Sequence, residues 1–129
     1  MDRTSCILVV DDDLTNRMVV RLLMSRRGFS VHEAASGMDA IDKISSTRFS
    51  AVFMDLSMPG LDGFETTKLI RSQCGSNGDV PIIALTAHTT DKNFARCSEV
   101  GMVGFISKPF DPEQACTTLS LLSNHGTMM

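Results

Sequence analysis

Four carboxylates, a hydroxyl and an ammonium stand at the ends of short apolar runs, and together they would suit phosphoryl transfer. Asp11, Asp12 and Asp13 follow the run Ile7 to Val10, and Asp55 follows Ala51 to Met54. Thr86 closes the run Pro81 to Leu85, and Lys108 comes just after Gly104 to Ile106. Singly, each has a plain structural use. Asp13 reads as the N-cap or first-turn acid of a following helix, Asp11 and Asp12 as loop acids, Thr86 as a turn residue and Lys108 as a solvated charge. Jointly they say more. Crowded carboxylates hold protons unless a cation compensates. Oxygen ligands without His or Cys select a hard ion, and a small site that keeps several waters suits Mg2+. An ion over Asp12 and Asp55, with lysine and threonine opposite, would neutralise phosphoryl oxygens while a carboxylate attacks in line. Asp55 is the candidate nucleophile, because carboxylates act as phosphoryl acceptors in covalent catalysis.

Bringing these groups together requires a particular arrangement of elements. Five short apolar runs recur at Ile7–Val10, Phe29–His32, Ala51–Met54, Pro81–Leu85 and Gly104–Ile106, and stretches with helical spacing separate them. The first helix is predicted from Asn16 to Arg27, with Met18, Val19, Leu22 and Leu23 on its apolar face and Gly28 as its stop. The others are predicted over Met38–Ser45, Gly63–Gln73, Asp91–Val100 and Pro112–Ser123, the last with Asp111 as N-cap and Pro112 at its first position. Each gap between runs is long enough for a crossover helix. Runs one, three and four are continuously apolar, as a parallel sheet covered on both faces requires. The expected fold is therefore α/β, a doubly wound five-stranded parallel sheet of flavodoxin-like, three-layer form. Sites in such sheets lie beyond the carboxyl ends of the strands, where the strand order reverses. In the order 2-1-3-4-5 the first and third strands meet at that reversal, so Asp11, Asp12 and Asp55 would share one cleft with Thr86 and Lys108.

Two other chemistries use a similar frame. A flavodoxin-type cofactor binder needs a Ser/Thr/Gly-rich phosphate loop after the first strand, where this chain puts three carboxylates. An aspartyl-intermediate phosphatase usually takes its nucleophile from the first strand and adds a substrate cap, for which 129 residues leave no room. Composition excludes broader classes. Lys and Arg number 12 against 15 Asp and Glu, a net charge of -3, so no general attraction to nucleic acid or acidic membrane is expected. No apolar run approaches a membrane span, and no signal-peptide pattern opens the chain, so a cytoplasmic location is expected. Cys6, Cys74, Cys97 and Cys116 lack metal spacing and read as reduced thiols. Met18, Met24, Met54 and Met102 read as core filler.

The segments I-L-V-V-D-D-D-L-T-N-R at 7–17, M-D-L-S-M-P-G-L-D-G at 54–63, P-I-I-A-L-T-A-H at 81–88 and G-F-I-S-K-P-F at 104–110 resemble the receiver domain of two-component response regulators. The resemblance covers residues 5–123, leaving 124–129 as a frayed tail. It implies that Asp55 is the phosphorylated aspartate, and that Asp12 binds Mg2+ directly while Asp11 acts largely through water. It makes Asp55 and the backbone carbonyl of Ser57 further metal ligands. It makes Lys108 the phosphate-binding lysine, aimed inward by a cis bond to Pro109. Thr86 and Phe105 would be the switch pair, and Ser57 and His88 would tune the phosphoryl lifetime. Segments 16–17, 84–88 and 101–109 are similar to receivers of hybrid histidine kinases. The implied partner is a histidine kinase or a histidine phosphotransfer domain, docking near Asn16, Arg17 and Val20. A weak or phosphorylation-dependent dimer is compatible with this reading. So are a stand-alone regulator and a docking module that has lost phosphorylation. The implied role is signalling, not enzymatic turnover, with the output in another protein or in flanking sequence.

Overall fold

The computed structural model describes residues 5–87 and 91–127. Strands β1 (Cys6–Val10), β2 (Ser30–Ala34), β3 (Ala51–Asp55), β4 (Ile82–Thr86) and β5 (Gly104–Ser107) alternate with helices α1 (Leu14–Ser25), α2 (Gly37–Ser46), α3 (Gly63–Gln73), α4 (Asp91–Val100) and α5 (Pro112–Thr127). A 3-10 turn at Gly75–Asp79 precedes β4. The strands form one parallel sheet in the order β2-β1-β3-β4-β5, as expected.

Period-two alternation along the strands divides the core between two faces. Ile7, Val9, Ala51, Phe53, Ile83, Leu85 and Ile106 pack beneath α1 and α5, against Val20, Met24 and Ala115. Leu8, Val10, Val52, Met54, Ile82 and Ala84 pack on the other side, against Ala40, Ile41 and Ile44 of α2, Phe64 and Ile70 of α3 and Cys97 of α4. Strands β1, β3 and β4 are therefore apolar at nearly every position.

Several boundaries differ from expectation. Helix α1 begins at Leu14, because Asp13 caps it: the Asp13 carboxylate accepts from Thr15 N at 2.9 Å. Its buried residues are Val20 and Met24, whereas Met18, Val19 and Leu22 are exposed. Apolar side chains occupy most of this helix's circumference, so spacing alone could not say which stripe meets the sheet. Met18 is thus surface, while Met24, Met54 and Met102 are core. Strand β2 starts one residue later and runs two further than expected, pairing Val9 with Glu33 and Val10 with Ala34. Helix α5 continues past Ser123 into the stretch read as a tail, where no proline interrupts it. The four cysteines are free thiols.

Candidate functional site

Each acidic group is placed by the end of a strand. Asp55 is the last residue of β3, and its carbonyl carbon lies against the start of α3. A Cβ at Gly63 would come 2.4 Å from the Asp55 carbonyl oxygen, so that helix can begin so close only with glycine there. Asp62 caps α3 in a capping box with Glu65, which fixes the β3–α3 connection. After β1, Asp11 N donates to Ala34 O at 3.1 Å and carries the β1–β2 ladder one residue further. Asp13 N donates to Asp11 Oδ1 at 3.0 Å, so the cap of α1 also orients the Asp11 carboxylate.

The result is a compact acidic cluster. Asp11, Asp12 and Asp55 each offer a carboxylate oxygen, all within 4.8 Å of one another. Asp11 is 1 % exposed and Asp55 4 %, while Asp12 is open to solvent. Lys108 Nζ lies 3.1 Å from Asp55 Oδ1 and 3.6 Å from Asp11 Oδ2. Its position follows from β5: Lys108 N donates to Thr86 O at 2.8 Å, and the Lys108–Pro109 bond is cis. Ser57 N donates to Asp55 Oδ1 at 3.2 Å. Burial pushes the Asp55 carboxyl above the ordinary range, and the neighbouring Asp11 charge pushes it further. The Ser57 and Lys108 hydrogen bonds oppose this without cancelling it.

One atom marks what the cluster lacks. Asp11 Oδ2 is buried with no hydrogen-bond partner. An oxygen without a hydrogen bond, two further carboxylates and, among the described residues, no nitrogen or sulfur ligand in the cluster fit a hard divalent cation with oxygen ligands. Thr86 ends β4, next to the Asp55–Leu85 pairing, and is buried. Ser57 and Thr86 line one cleft of about 550 Å³ with Arg96, whose guanidinium lies 3.9 Å above the Phe64 ring. Phe105 is half-buried and meets Phe94 edge to face, with centroids 4.1 Å apart. His88 lies outside the described residues.

The strand ends bring Asp11, Asp12 and Asp55 together, and Lys108 reaches Asp55 and Asp11, while Thr86 lines the neighbouring cleft with Ser57. Asp13 stands aside as a cap. The docking group foreseen on α1 does not form: Val20 is buried in the core, and Arg17 is tied inward to Glu33 and to the Asp11 carbonyl. That inward tie was not legible in the sequence, because it depends on α1 lying against β2.

Residues 7–120 match the response regulator receiver domain family. The chain is 38% identical over 128 residues to "Probable histidine kinase 5" of Oryza sativa subsp. japonica, a match covering 84% of this chain and 11% of that protein. It is 37% identical over 120 residues to the "Osmosensing histidine protein kinase SLN1" of Saccharomyces cerevisiae, covering 88% of this chain and 10% of that protein. The chain thus spans about a tenth of the length of these relatives. Among solved structures, the Vibrio cholerae chemotaxis protein CheY4 superposes with a TM-score of 0.85 at 34% identity, covering 92% of this chain and 98% of that one. The receiver domain of the sensor histidine kinase PA1611 of Pseudomonas aeruginosa, described with a magnesium ion coordinated in its active-site cleft, gives 0.81 at 34% identity, covering 91% and 95%.

Proposed function

This chain belongs to the response regulator receiver domain family, and on that premise we propose that Asp55 accepts a phosphoryl group from a phosphohistidine donor. The observation that carries the proposal is the meeting of three carboxylates, one with an orphaned buried oxygen, with the Lys108 ammonium 3.1 Å from Asp55. Asp11, Asp12, Asp55 and the Ser57 carbonyl would hold Mg2+. When bound, that ion supplies positive charge for the oxygens of the transferring group.

In the transfer, an Asp55 carboxylate oxygen attacks phosphorus. The new P–O bond forms as the donor's P–N bond breaks, and the electron pair leaves on the imidazole nitrogen. Lys108 holds Asp55 in place beforehand and meets the phosphoryl charge afterwards. The aspartyl phosphate adds charge of about -1.5 to -2 to a buried site. The Thr86 hydroxyl would move to the phosphoryl oxygens, and the space it leaves would let Phe105 turn inward. The readout is then the surface around α4 and β5, where Phe94 and Phe105 already meet edge to face. Ser57 and His88 would tune how long the phosphoryl group lasts.

The donor would be a histidine kinase or a histidine phosphotransfer domain, with this chain as a receiver of the hybrid-kinase type. Its dock would be the exposed stripe Leu14, Met18 and Leu22 of α1, one helical turn apart and beginning just after Asp13. The test is incubation with acetyl phosphate and Mg2+, followed by intact mass. One phosphoryl group should add to the wild-type chain and none to Asp55→Asn or to wild type in EDTA. A mass gain unchanged in Asp55→Asn would overturn the proposal.

A further inference from the structure

Every polar atom of Asp11 except one makes a hydrogen bond. Its N–H donates to Ala34 O at 3.1 Å, Oδ1 accepts from Asp13 N at 3.0 Å, and its carbonyl accepts from Arg17 Nη1 at 2.8 Å. Only Oδ2 is left without a hydrogen bond among the described residues, with the Lys108 ammonium 3.6 Å away, and Asp11 contributes one carboxylate oxygen to the acidic cluster. Among the described residues, the bond from Arg17 is the side-chain hydrogen bond made to the Asp11 backbone from outside the loop. Arg17 is itself fixed, because its Nε donates to Glu33 Oε1 at 3.0 Å. Glu33 also accepts from Arg21 Nη1 at 2.8 Å. Partial burial pushes the Glu33 carboxyl up, but the two guanidiniums outweigh this and hold it below the usual carboxylate range. Arg17 and Glu33 are both largely shielded, whereas Arg21 is mostly exposed.

We infer that Arg17, oriented by Glu33, is a positioning residue: it holds the Asp11 backbone so that Oδ2 stays aimed at a bound divalent cation. This rests on the metal-dependent reading given above. A planar guanidinium is required, since one nitrogen binds the carboxylate while another reaches the carbonyl, and a lysine ammonium cannot span both in that geometry. Glu33 offsets the charge of Arg17, so the pair adds rigidity without setting a net positive charge against the cation. Groups that orient metal ligands typically contribute tenfold or more to metal affinity.

Charge and position predict opposite signs, which makes the inference testable. Removing a cation beside an acidic site should tighten Mg2+ binding if charge alone matters. Losing the positioning bond should weaken it. With no Trp or Tyr in the chain, Mg2+ affinity is best read by isothermal titration calorimetry with MgCl2. Arg17→Met is expected to raise the Kd about tenfold, with the acetyl phosphate labelling rate at saturating Mg2+ staying within about twofold of wild type. Arg17→Lys keeps the charge and is the milder change. It should still raise the Kd several-fold, and it decides the matter if Arg17→Met fails to fold. Arg21→Met removes an equal charge from the same network without touching Asp11 and should stay within about twofold. An unchanged or lower Kd in the Arg17 variants, or an equal rise in Arg21→Met, would overturn the inference while leaving the receiver reading intact. Absence of Mg2+ binding and labelling in wild type would overturn both.

Discussion

Replacing Asp55 by Asn should stabilise the metal-free domain at neutral pH, although it removes the group at the centre of the site. The Asp11 carboxylate, also buried, reaches within 4.8 Å of Asp55. At an effective dielectric of about 20 that repulsion amounts to about 3.5 kcal/mol. The Lys108 ammonium at 3.1 Å returns about 5 kcal/mol on the same basis. Taking the charge out of water costs several kcal/mol more, and this burial cost is what tips the balance against the charged form and raises the carboxyl. The net penalty on the charge is on the order of 2 kcal/mol. Asn keeps the shape and an acceptor for Ser57 N and Lys108 Nζ, so deleting the charge removes chiefly the burial cost and the repulsion. Two kcal/mol corresponds to a rise in Tm of roughly 5–10 °C for a domain of this size.

The pH dependence has a definite sign. The folded carboxyl of Asp55 is raised, so between its unfolded and folded pKa the native state binds the extra proton. Stability associated with Asp55 is fully present below the unfolded pKa and is lost as pH rises through the folded pKa. The advantage of Asp55→Asn should therefore be greatest at neutral pH and shrink as acidification carries the pH down through the raised folded pKa toward the ordinary carboxylate value. Thermal melts followed by circular dichroism, in EDTA from pH 4 to 8, read both features. A variant no more stable than wild type at pH 7, or an advantage independent of pH, would refute the electrostatic reasoning. Adding Mg2+ should raise the wild-type Tm by mass action and raise that of Asp55→Asn much less.

Lys108→Met should destabilise the metal-free domain by a few kcal/mol at pH 7, because Asp55 and Asp11 lose their compensating cation. Urea unfolding should show that loss shrinking as the carboxylates protonate at low pH. Gly63→Ala forces a methyl against the Asp55 carbonyl and Leu56 Cα, at 2.4 and 2.9 Å. Urea titration should show a loss of about 2–3 kcal/mol, with weaker Mg2+ binding because the end of β3 must shift. Asp62→Ala removes the cap bond to Glu65 N, 2.8 Å long, and should cost about 1 kcal/mol. Its melt should fall by a few degrees with acetyl phosphate labelling retained.

The cleft was legible because its placement depends on local patterns. Apolar runs ending in Asp11 and Asp55 specify strands with acids at their carboxyl ends, and parallel pairing of β1 with β3 then brings those ends together. Asp13 was readable as a cap because a capping acid satisfies donors two or three residues along its own chain. The orientation of α1 was not readable in this way. Leu14, Met18, Val19, Leu22, Val20 and Met24 are all apolar, and only contact with the sheet selects Val20 and Met24 for burial. Strand β2 was extended through Glu33 by its pairing with β1, and by two arginines that neutralise a carboxylate an isolated strand would leave in water. The sequence by itself thus determined the order of elements and which acids stand at their ends, since both are set within a few residues. The tertiary structure alone decided that Asp11 Oδ2 is left without a hydrogen bond among the described residues and that Arg17 turns inward to hold its backbone. Those depend on contacts between β1, α1 and β2, which do not exist until the helix packs on the sheet.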